Sequence, residues 1–397
     1  MKRFFLATAI HFLGILGHLL FWIPDRLLPR QEREKTERIL VIKLWAIGEV
    51  VLATPVFEAL RQQYPGAQID LLVGKTALAV VEHNPHLSTV IPIDESIFLR
   101  LRLREIIRLA RRLQPTGYDT AILLHKVFIY GVFARLCGIP RRLGLNRGFE
   151  GFALTDRIPQ ATHHVHRVEE YLSVLDPLEI QTSLRPTTIF LRPKAHESAN
   201  QLLSKETLPD PPPPTISLLP TGGANEAAGR LGTNFLTKRW PIPSYLELAD
   251  RLSQQGARVL ILGGPAERRL RPSFESLDSP DLHIWIGETD LETTMGLLHA
   301  SDLVVSNDSG PMHIASALGI PVLAAFGPTY TQVARPLSPG SRVLTGSTPC
   351  TCHVREDVFP NIVPTCKQDQ ICLKSVTVDQ MIEAATEMLT EAKSTRP

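Results

Sequence analysis

Short apolar runs of strand length alternate with helix-length amphipathic stretches along most of this chain. The first series begins at Arg38 and predicts strands Arg38–Leu44, Gln68–Val73, Thr89–Ile93 and Asp119–Leu124, and helices Glu49–Tyr64, Lys75–His83, Phe98–Leu113 and Val127–Cys137. Val, Ile and Leu runs bounded by helices are typical of a parallel sheet that is covered on both faces. The pattern therefore predicts an α/β fold with a doubly wound sheet.

A proline-rich segment interrupts this alternation in the middle of the chain. Residues 208–215 read Leu-Pro-Asp-Pro-Pro-Pro-Pro-Thr, a stiff composition that is typical of a linker. The alternation then resumes, with strands predicted at Ile216–Leu219, Arg258–Leu262, Leu282–Ile286, Leu303–Ser306 and Val322–Phe326. A chain of 397 residues is too long for one ordinary core. We therefore expect two doubly wound domains, 36–207 and 216–376, a C-terminal helix within 377–397, and a cleft at the carboxyl ends of both sheets.

The bulk composition excludes some classes of partner. Apolar residues make up 44% of the chain and charged residues 21%, which is ordinary for a folded globular protein. The formal net charge is only +2, and no run combines basic with aromatic residues. Nucleic acid is therefore not an expected partner.

The segment 1–35 predicts contact with a membrane. A mostly apolar stretch from Phe4 to Pro24 is preceded by Lys2 and Arg3 and followed by further arginines. It lacks the small-residue exit site of a cleaved signal peptide. About 20 apolar residues can span a bilayer, whereas the two histidines of the stretch form a thin polar stripe that suits an interfacial helix. Both alternatives stay open, and the arginine-rich flank favours the cytoplasmic side for the rest of the chain.

The turn after the first predicted strand offers one carboxylate. Residues 43–50 read Lys-Leu-Trp-Ala-Ile-Gly-Glu-Val, which puts Glu49 at the start of a helix. A dinucleotide fingerprint needs three glycines and only Gly48 is present, which counts against an oxidoreductase. Glu49 either complements the helix dipole or acts as a general base.

Two further turns follow strands in the second half of the chain. Residues 304–313 end in Asn-Asp-Ser-Gly-Pro-Met-His, where Pro311 suits a first helical turn and the backbone N–H groups suit a diphosphate. Residues 219–224 form a glycine turn, with Lys238 farther on as a point charge for phosphate. Glu267 follows the next strand and could bind ribose hydroxyls. No Asp-x-Asp triplet occurs in the sequence, which disfavours a metal-chelated nucleotide sugar.

In combination these motifs resemble glycosyltransferase family 9, the ADP-heptose:lipopolysaccharide heptosyltransferases. The resemblance rests on the ordered segments 39–60, 135–144, 238–241 (Lys-Arg-Trp-Pro), 307–313 and 326–329 (Phe-Gly-Pro-Thr). It implies a GT-B fold of two Rossmann-like domains with a central cleft. It also implies an inverting, metal-independent transfer from an ADP-sugar to a lipid-linked glycan such as the lipopolysaccharide core. The C-terminal domain would hold the donor, on the cytoplasmic side of the inner membrane.

The resemblance also assigns roles to residues. The family's catalytic aspartate falls on Glu49, a carboxylate with one extra methylene. The donor would contact Thr221, Gly222, Gly223, Lys238, Glu267, Asp308, Ser309, Gly310 and His313. The acceptor would contact Lys43, Arg141 and Arg142. The alternative is a protein of the same fold that binds nucleotide sugar without catalysis, because Glu49 departs from the family pattern.

The proposed chemistry gives no role to a cysteine cluster and to an arginine-rich helix. Four of the five cysteines lie close together, at Cys350, Cys352, Cys366 and Cys372. They could hold a structural zinc, form a disulfide or stay reduced, although the spacing is not a common zinc pattern. The predicted helix Phe98–Leu113 carries arginines opposite a Leu and Ile face. They form either a solvated face or a surface for anionic lipid.

Overall fold

The computed structural model describes residues 36–146, 148–160, 164–204, 211–220, 235–279, 281–349, 352, 366 and 368–395. The predicted membrane segment 1–35 and the first part of the predicted linker lie outside these ranges. Contacts divide the described residues into two compact units. The first comprises the residues up to Ala46 together with Leu52–Arg185. The second comprises Ile47–Val51 together with the residues from Pro186 onward.

Each unit is built on one six-stranded sheet in which all strand pairs are parallel. The strands of the first sheet are β1 (Arg38–Ile42), β2 (Gln68–Gly74), β3 (Thr89–Ile93), β4 (Thr120–Leu123), β5 (Arg141–Asn146) and β6 (Asp156–Pro159). Their spatial order is β3-β2-β1-β4-β5-β6. The order reverses between β1 and β4, which defines the switch point of a doubly wound sheet.

The second sheet repeats this arrangement. Its strands are β7 (Thr215–Leu218), β8 (Arg258–Gly263), β9 (Leu282–Ile286), β10 (Leu303–Asn307), β11 (Val322–Phe326) and β12 (Arg342–Thr345). Their order is β12-β11-β10-β7-β8-β9, with the switch point between β7 and β10. The predicted α/β class with two doubly wound sheets is confirmed.

Helices connect the strands in both units. They are α1 (Ile47–Val51), α2 (Thr54–Gln63), α3 (Ser96–Leu99), α4 (Leu103–Leu113), α5 (Phe128–Leu136), α6 (Arg167–Leu172), α7 (Pro193–Leu203), α8 (Ile242–Gln254), α9 (Arg271–Glu275), α10 (Leu291–His299), α11 (Gly310–Ala317), α12 (Thr331–Ala334), α13 (Ile371–Lys374) and α14 (Val378–Thr395). Short 3₁₀ helices lie at Lys75–Val80, Gln114–Thr116, Gly148–Ala153, Ser173–Leu178, Phe235–Lys238 and Pro265–Leu270. Across the part of the chain that the structure describes, no helix is long and apolar enough to cross a bilayer.

The core of the second unit anchors the segment that leads to the site. Trp240 is fully buried, and its indole Nε1 donates a hydrogen bond to the carbonyl of Val376 at 2.9 Å. Its ring packs edge-on against the buried Tyr245 at 5.1 Å between centroids. A buried tryptophan of this size contributes roughly 3 kcal/mol or more to stability. The residues just before Trp240 are therefore held at a fixed place beside the sheet.

Candidate functional site

The turn after β10 lies at the switch point of the second sheet, where ligands of doubly wound folds bind. Asn307 is fully buried, and its Oδ1 accepts a hydrogen bond from the backbone N–H of Trp240 at 2.7 Å. Ser309 caps α11, because its Oγ accepts a hydrogen bond from the N–H of Met312 at 3.4 Å. The Lys-Arg-Trp-Pro and Asn-Asp-Ser-Gly motifs, far apart in sequence, are thus joined directly.

The carboxylate of Asp308 contacts polar groups from three of the sequence motifs. The Lys238 ammonium lies 2.5 Å from its Oδ2, and the Thr329 hydroxyl donates to the same oxygen at 2.6 Å. Nε2 of His313 lies 3.9 Å from Oδ1. Burial alone would raise the pKa of Asp308, but the charges of Lys238 and His313 and the hydrogen bonds from Lys238 and Thr329 hold it below the usual value. Lys238, which the sequence predicted as a point charge for phosphate, is therefore already paired with a carboxylate.

Arg239 supplies a second positive charge close to the Asp308 network. Its side chain is half-buried, and no group among the described residues accepts a hydrogen bond from its guanidinium. Burial and the nearby Arg269 lower its pKa, while Glu267 acts in the opposite direction. An arginine remains protonated at any physiological pH. Arg239 therefore offers guanidinium N–H donors that no described residue occupies, one residue from the Asp308 network, although the charge of Glu267 acts on it.

Glu267 lies in the 3₁₀ turn that follows β8. It is buried, and its Oε2 accepts a hydrogen bond from the N–H of Gly264 at 3.0 Å, which caps the turn. Burial raises the pKa of Glu267 above the usual value, partly offset by this hydrogen bond and by Arg239. The carboxylate is thus held in a fixed position at the carboxyl edge of the second sheet. Such a position suits a group that binds hydroxyls.

Glu49 lies in the first turn of α1. The contacts of α1 assign this helix to the second unit. A Cβ atom added to Gly48 would lie 2.9 Å from Cδ2 of His313 and 3.0 Å from Cα of Gly310. Only a glycine permits this approach, so α1 packs directly on the N-terminus of α11. Ala46, just before α1, has a left-handed φ of 60° that costs a non-glycine residue about 1–3 kcal/mol. The half-buried Glu49 and the turn of Asp308 thereby belong to one candidate site.

We expect Gly48→Ala to reduce turnover strongly. The added methyl would push α1 away from Gly310 and His313, and a displacement of about 1 Å at a catalytic group can cost about 100-fold in rate. Overpacking of this kind lowers the free energy of unfolding by about 1–3 kcal/mol. Steady-state turnover and thermal unfolding measure the two effects. Gly66→Ala is the matched control, because a Cβ there meets no atom within 4 Å. Equal turnover in both variants would contradict the close approach.

His125 positions the turn that leads to Glu49. The backbone N–H of Leu44 donates a hydrogen bond to Nε2 of His125 at 2.8 Å, so this nitrogen carries no proton. The imidazole stacks on Tyr130 at 4.4 Å between centroids, and Trp45 meets it edge-on at 5.6 Å. His125 follows a predicted strand, but its sequence neighbourhood gave no sign of this role.

The three residues predicted to contact an acceptor lie in the first unit and have protein partners. Nζ of Lys43, which is buried, lies 2.5 Å from the Tyr171 hydroxyl and 3.2 Å from the carbonyl of Leu124. Arg142 is also buried, and it donates to the carbonyls of residues 139, 140 and 153. Arg141 donates to the carbonyl of Pro177 at 2.7 Å. These contacts favour a scaffolding role.

Several predicted site residues cannot be placed. Thr221, Gly222 and Gly223 of the predicted glycine turn, and Cys350 of the cysteine cluster, lie outside the described residues. Cys372 is buried, and Sγ of Cys366 accepts a hydrogen bond from the N–H of Gln370 at 3.2 Å. Within the described ranges no group of three or more His, Cys, Asp or Glu side chains could hold a metal ion. The described residues therefore give no support to a structural zinc, one of the three alternatives that the sequence left open for this cluster.

Comparison with known proteins bears on the family and the fold of this chain. The sequence model of glycosyltransferase family 9 (heptosyltransferase) matches residues 106–362. Lipopolysaccharide heptosyltransferase 2 of Escherichia coli is 26% identical over 321 residues, which cover 77% of this chain and 87% of that enzyme. A family 9 glycosyl transferase structure from Veillonella parvula superimposes with a TM-score of 0.72 at 22% identity, over 89% of this chain and 97% of that one. The structure of E. coli ADP-heptose LPS heptosyltransferase II gives 0.71 at 21% identity, over 90% and 99%.

Two doubly wound parallel sheets with these structural neighbours define the GT-B class of glycosyltransferases. Because the family model spans more than half of the sequence, the chain belongs to glycosyltransferase family 9. The resemblance predicted from the ordered motifs is confirmed, and so is the prediction that the protein is a glycosyltransferase.

Proposed function

We propose that this glycosyltransferase moves a heptose, or a related sugar, from an ADP-sugar to a lipopolysaccharide core or a similar lipid-linked glycan, with inversion at the anomeric carbon. The names of the similar E. coli enzymes support the sugar, the nucleotide and the acceptor. The observation that carries the proposal is the packing of α1, with Glu49, on the N-terminus of α11. It supports a general base beside a turn suited to a diphosphate.

In this mechanism the Glu49 carboxylate takes the proton of an acceptor hydroxyl. The hydroxyl oxygen attacks the anomeric carbon from the face opposite the diphosphate and forms the new glycosidic bond. The bond between the anomeric carbon and the diphosphate oxygen breaks, and ADP leaves with the electron pair. One displacement of this kind inverts the configuration.

The positive charge that meets the leaving diphosphate comes, in our proposal, from Arg239 together with the remaining donors of Lys238. Lys238 has three N–H donors and uses one on Asp308, so it can bridge that carboxylate and a phosphate oxygen. Asp308, Ser309, Gly310 and His313 would contact the sugar-diphosphate, Glu267 the ribose, and the glycine turn at 221–223 the phosphates. Such preorganised donors act without reorganisation during the reaction.

We expect Arg239→Ala to weaken ADP binding by about 10- to 100-fold, the range for a hydrogen bond to a charged group. Thermal stability should not fall, because the guanidinium has no hydrogen-bond partner among the described residues. Isothermal titration with ADP measures the first effect and calorimetry the second. Arg157→Ala, at an exposed position on β6, is the control. Unchanged ADP affinity would remove Arg239 from the donor site.

We also propose that the enzyme works at the cytoplasmic side of the inner membrane, held there by the segment 1–35. Nucleotide sugars are cytosolic and lipid-linked acceptors lie in the membrane. The enzyme must therefore reach the cytosol and the membrane surface at the same time. The apolar stretch from Phe4 to Pro24 with its flanking basic residues supports this location.

The experiment that tests the proposed function is transfer to core glycolipid from cells that lack this protein. The protein is incubated with that acceptor and with ADP-heptose, ADP-glucose or a UDP-hexose, and the glycolipid mass is measured. We expect the mass of one heptose to be added from ADP-heptose, and no transfer from the UDP-sugar. Preferred transfer from a UDP-sugar would overturn the proposed donor.

A further inference from the structure

An exposed cluster of aliphatic and arginine side chains lies on α4 and the turn before it. We call it the α4 surface and define it by Leu99, Arg100, Leu101, Leu103, Arg104, Ile107, Arg108, Arg111 and Arg112. Only seven large apolar side chains of the described residues are highly exposed, and four of them lie here, with Leu101 57% and Leu103 61% exposed. Scattered exposed apolar residues are normal, but such a concentration marks an interaction surface.

The fold does not need these exposed side chains. The opposite face of α4 is buried in the core of the first unit through Ile106, Leu109, Ala110 and Leu113. Leu103 and Ile107 are four residues apart and therefore adjacent on the exposed side. Arg104, Arg108 and Arg112 follow the same spacing next to them. The exposed side of α4 is thus itself divided into an apolar strip and a basic strip.

Within the part of the chain that the structure describes, the arginine side chains of this surface have no partner. Glu105 pairs with Arg102 at 3.4 Å, and none of the five guanidinium groups of the α4 surface makes a hydrogen bond or an ion pair there. Like charges four residues apart on a helix repel each other. A row of three such arginines destabilises an isolated helix, so the row fits a surface that meets negative charge.

The turn before α4 exposes the side chain of Leu101 through an unfavourable backbone conformation. Leu101 has a left-handed φ of 47°. This conformation costs a residue with a Cβ about 1–2 kcal/mol. The exposed leucine is therefore presented by a strained turn, next to Leu103 at the start of α4.

We propose that the α4 surface docks the enzyme on a bilayer that contains anionic lipid. The four aliphatic side chains enter the boundary between headgroups and acyl chains, and the arginines bind lipid phosphates. Five arginines beside four aliphatic side chains, on one amphipathic helix and the turn before it, form the pattern that binds anionic lipid surfaces, which is why we take lipid as the partner. The inference goes beyond the proposed reaction, because it does not depend on which sugar is transferred.

The test uses the full chain and a reporter on the surface itself. Leu103→Trp is bound to vesicles of phosphatidylcholine and phosphatidylglycerol in a 3:1 ratio, with dibrominated acyl chains that quench tryptophan on contact. The unsubstituted chain gives the quenching of its four native tryptophans, which is subtracted. Phe190→Trp, another exposed position, is the control. Because the readout is local, contact made elsewhere in the chain does not affect it.

The role of charge is tested in the same reporter background. R104Q/R108Q/R112Q removes three arginines of the surface, and K75Q/R157Q/K194Q removes three exposed cations elsewhere. Each basic residue near an anionic membrane contributes about 1 kcal/mol, or about 5-fold in partition. We expect strong quenching of the tryptophan in Leu103→Trp. The surface triple variant should lose vesicle contact at position 103 by at least 10-fold. The control triple variant should lose less than 2-fold.

Two results would overturn the proposal. One is absence of additional quenching in Leu103→Trp on vesicles, which means that the surface stays in solvent. The other is loss of transfer to a water-soluble, lipid-free acceptor in the surface triple variant, which means that the arginines bind the acceptor or another partner. Failure of the proposed sugar transfer would leave the quenching result unaffected, so the two proposals are tested separately.

Discussion

Replacing Glu49 with Gln should reduce turnover by about 100- to 10,000-fold, the contribution of a general base, and leave ADP affinity nearly unchanged. Gln keeps the size and hydrogen-bonding ability of the side chain, but it cannot remove the proton from the hydroxyl of the acceptor sugar. Single-turnover kinetics measure the chemical step, and isothermal titration measures ADP binding. Because α1 packs on α11 through Gly48 and Gln keeps the size of the side chain, we expect the fold around α11 to be retained.

Glu49→Asp is the informative companion variant. It introduces the aspartate that the family resemblance implies for this position and shortens the side chain by one methylene. We expect it to remain active, since proton acceptance is preserved. Near-full activity of Glu49→Gln would remove Glu49 from the mechanism and would favour another base or the non-catalytic alternative.

Lys238→Met should have the largest combined effect on binding and stability. Breaking a buried ion pair on one side costs about 3–5 kcal/mol, because the Asp308 carboxylate is left without its cation. Donor affinity should fall as well, since Lys238 also serves the diphosphate in our mechanism. Chemical denaturation and titration with ADP measure the two losses. In the double variant with Asp308→Asn, most of the stability should return, whereas the loss of donor affinity should remain.

The pH dependence of that stability loss follows from the pKa of Asp308. In the native protein this pKa is lowered, so the pair stabilises the fold above the pKa of an unfolded aspartate and loses this contribution as pH falls through the folded value. In Lys238→Met burial raises the pKa of Asp308, and the buried charge becomes costlier as pH rises. His313 and Thr329 still face the carboxylate in the variant. The stability difference should therefore be largest near pH 7 and shrink toward pH 4. A constant difference would contradict this account.

Sequence periodicity predicted nine strands, and all nine are present. They include buried runs such as Ile-Leu-Val-Ile in β1 and also the partly exposed edge strands β3 and β9. Three strands were missed. β5 begins with Arg141 and Arg142 and contains a glycine, while β6 and β12 have four residues each and lie at sheet edges. Their pairing is decided by neighbouring strands and not by their own composition.

Helix predictions were wrong in detail where turns intervene. The predicted helix Glu49–Tyr64 is two helices, α1 and α2, with Pro55 in the first turn of the second. The predicted helix Lys75–His83 is a 3₁₀ segment, Lys75–Val80. Proline at 55 was visible in the sequence, and its preference for a first helical turn was the available signal.

Sequence motifs predicted the donor turn but gave no sign of the pairing inside it. The motifs named Lys238, Asp308 and His313, while the contact of Lys238 and Thr329 with one carboxylate oxygen depends on the return of distant segments to one sheet edge. The resemblance predicted that Lys43 contacts the acceptor, and this role stays a prediction. In the structure the ammonium of Lys43 is buried and contacts the carbonyl of Leu124 and the hydroxyl of Tyr171. Charged side chains near a ligand-binding edge cannot be divided into ligands and scaffold until their partners are known.

In the proposed mechanism an acceptor oxygen, activated by Glu49, displaces ADP in one step. The anomeric configuration of the product, measured by proton NMR after transfer from ADP-heptose of known configuration, tests this step. We expect a linkage of inverted configuration, formed by the native protein and not by Glu49→Gln. A product of retained configuration would contradict it, because retention requires two displacements or a different arrangement of donor and acceptor.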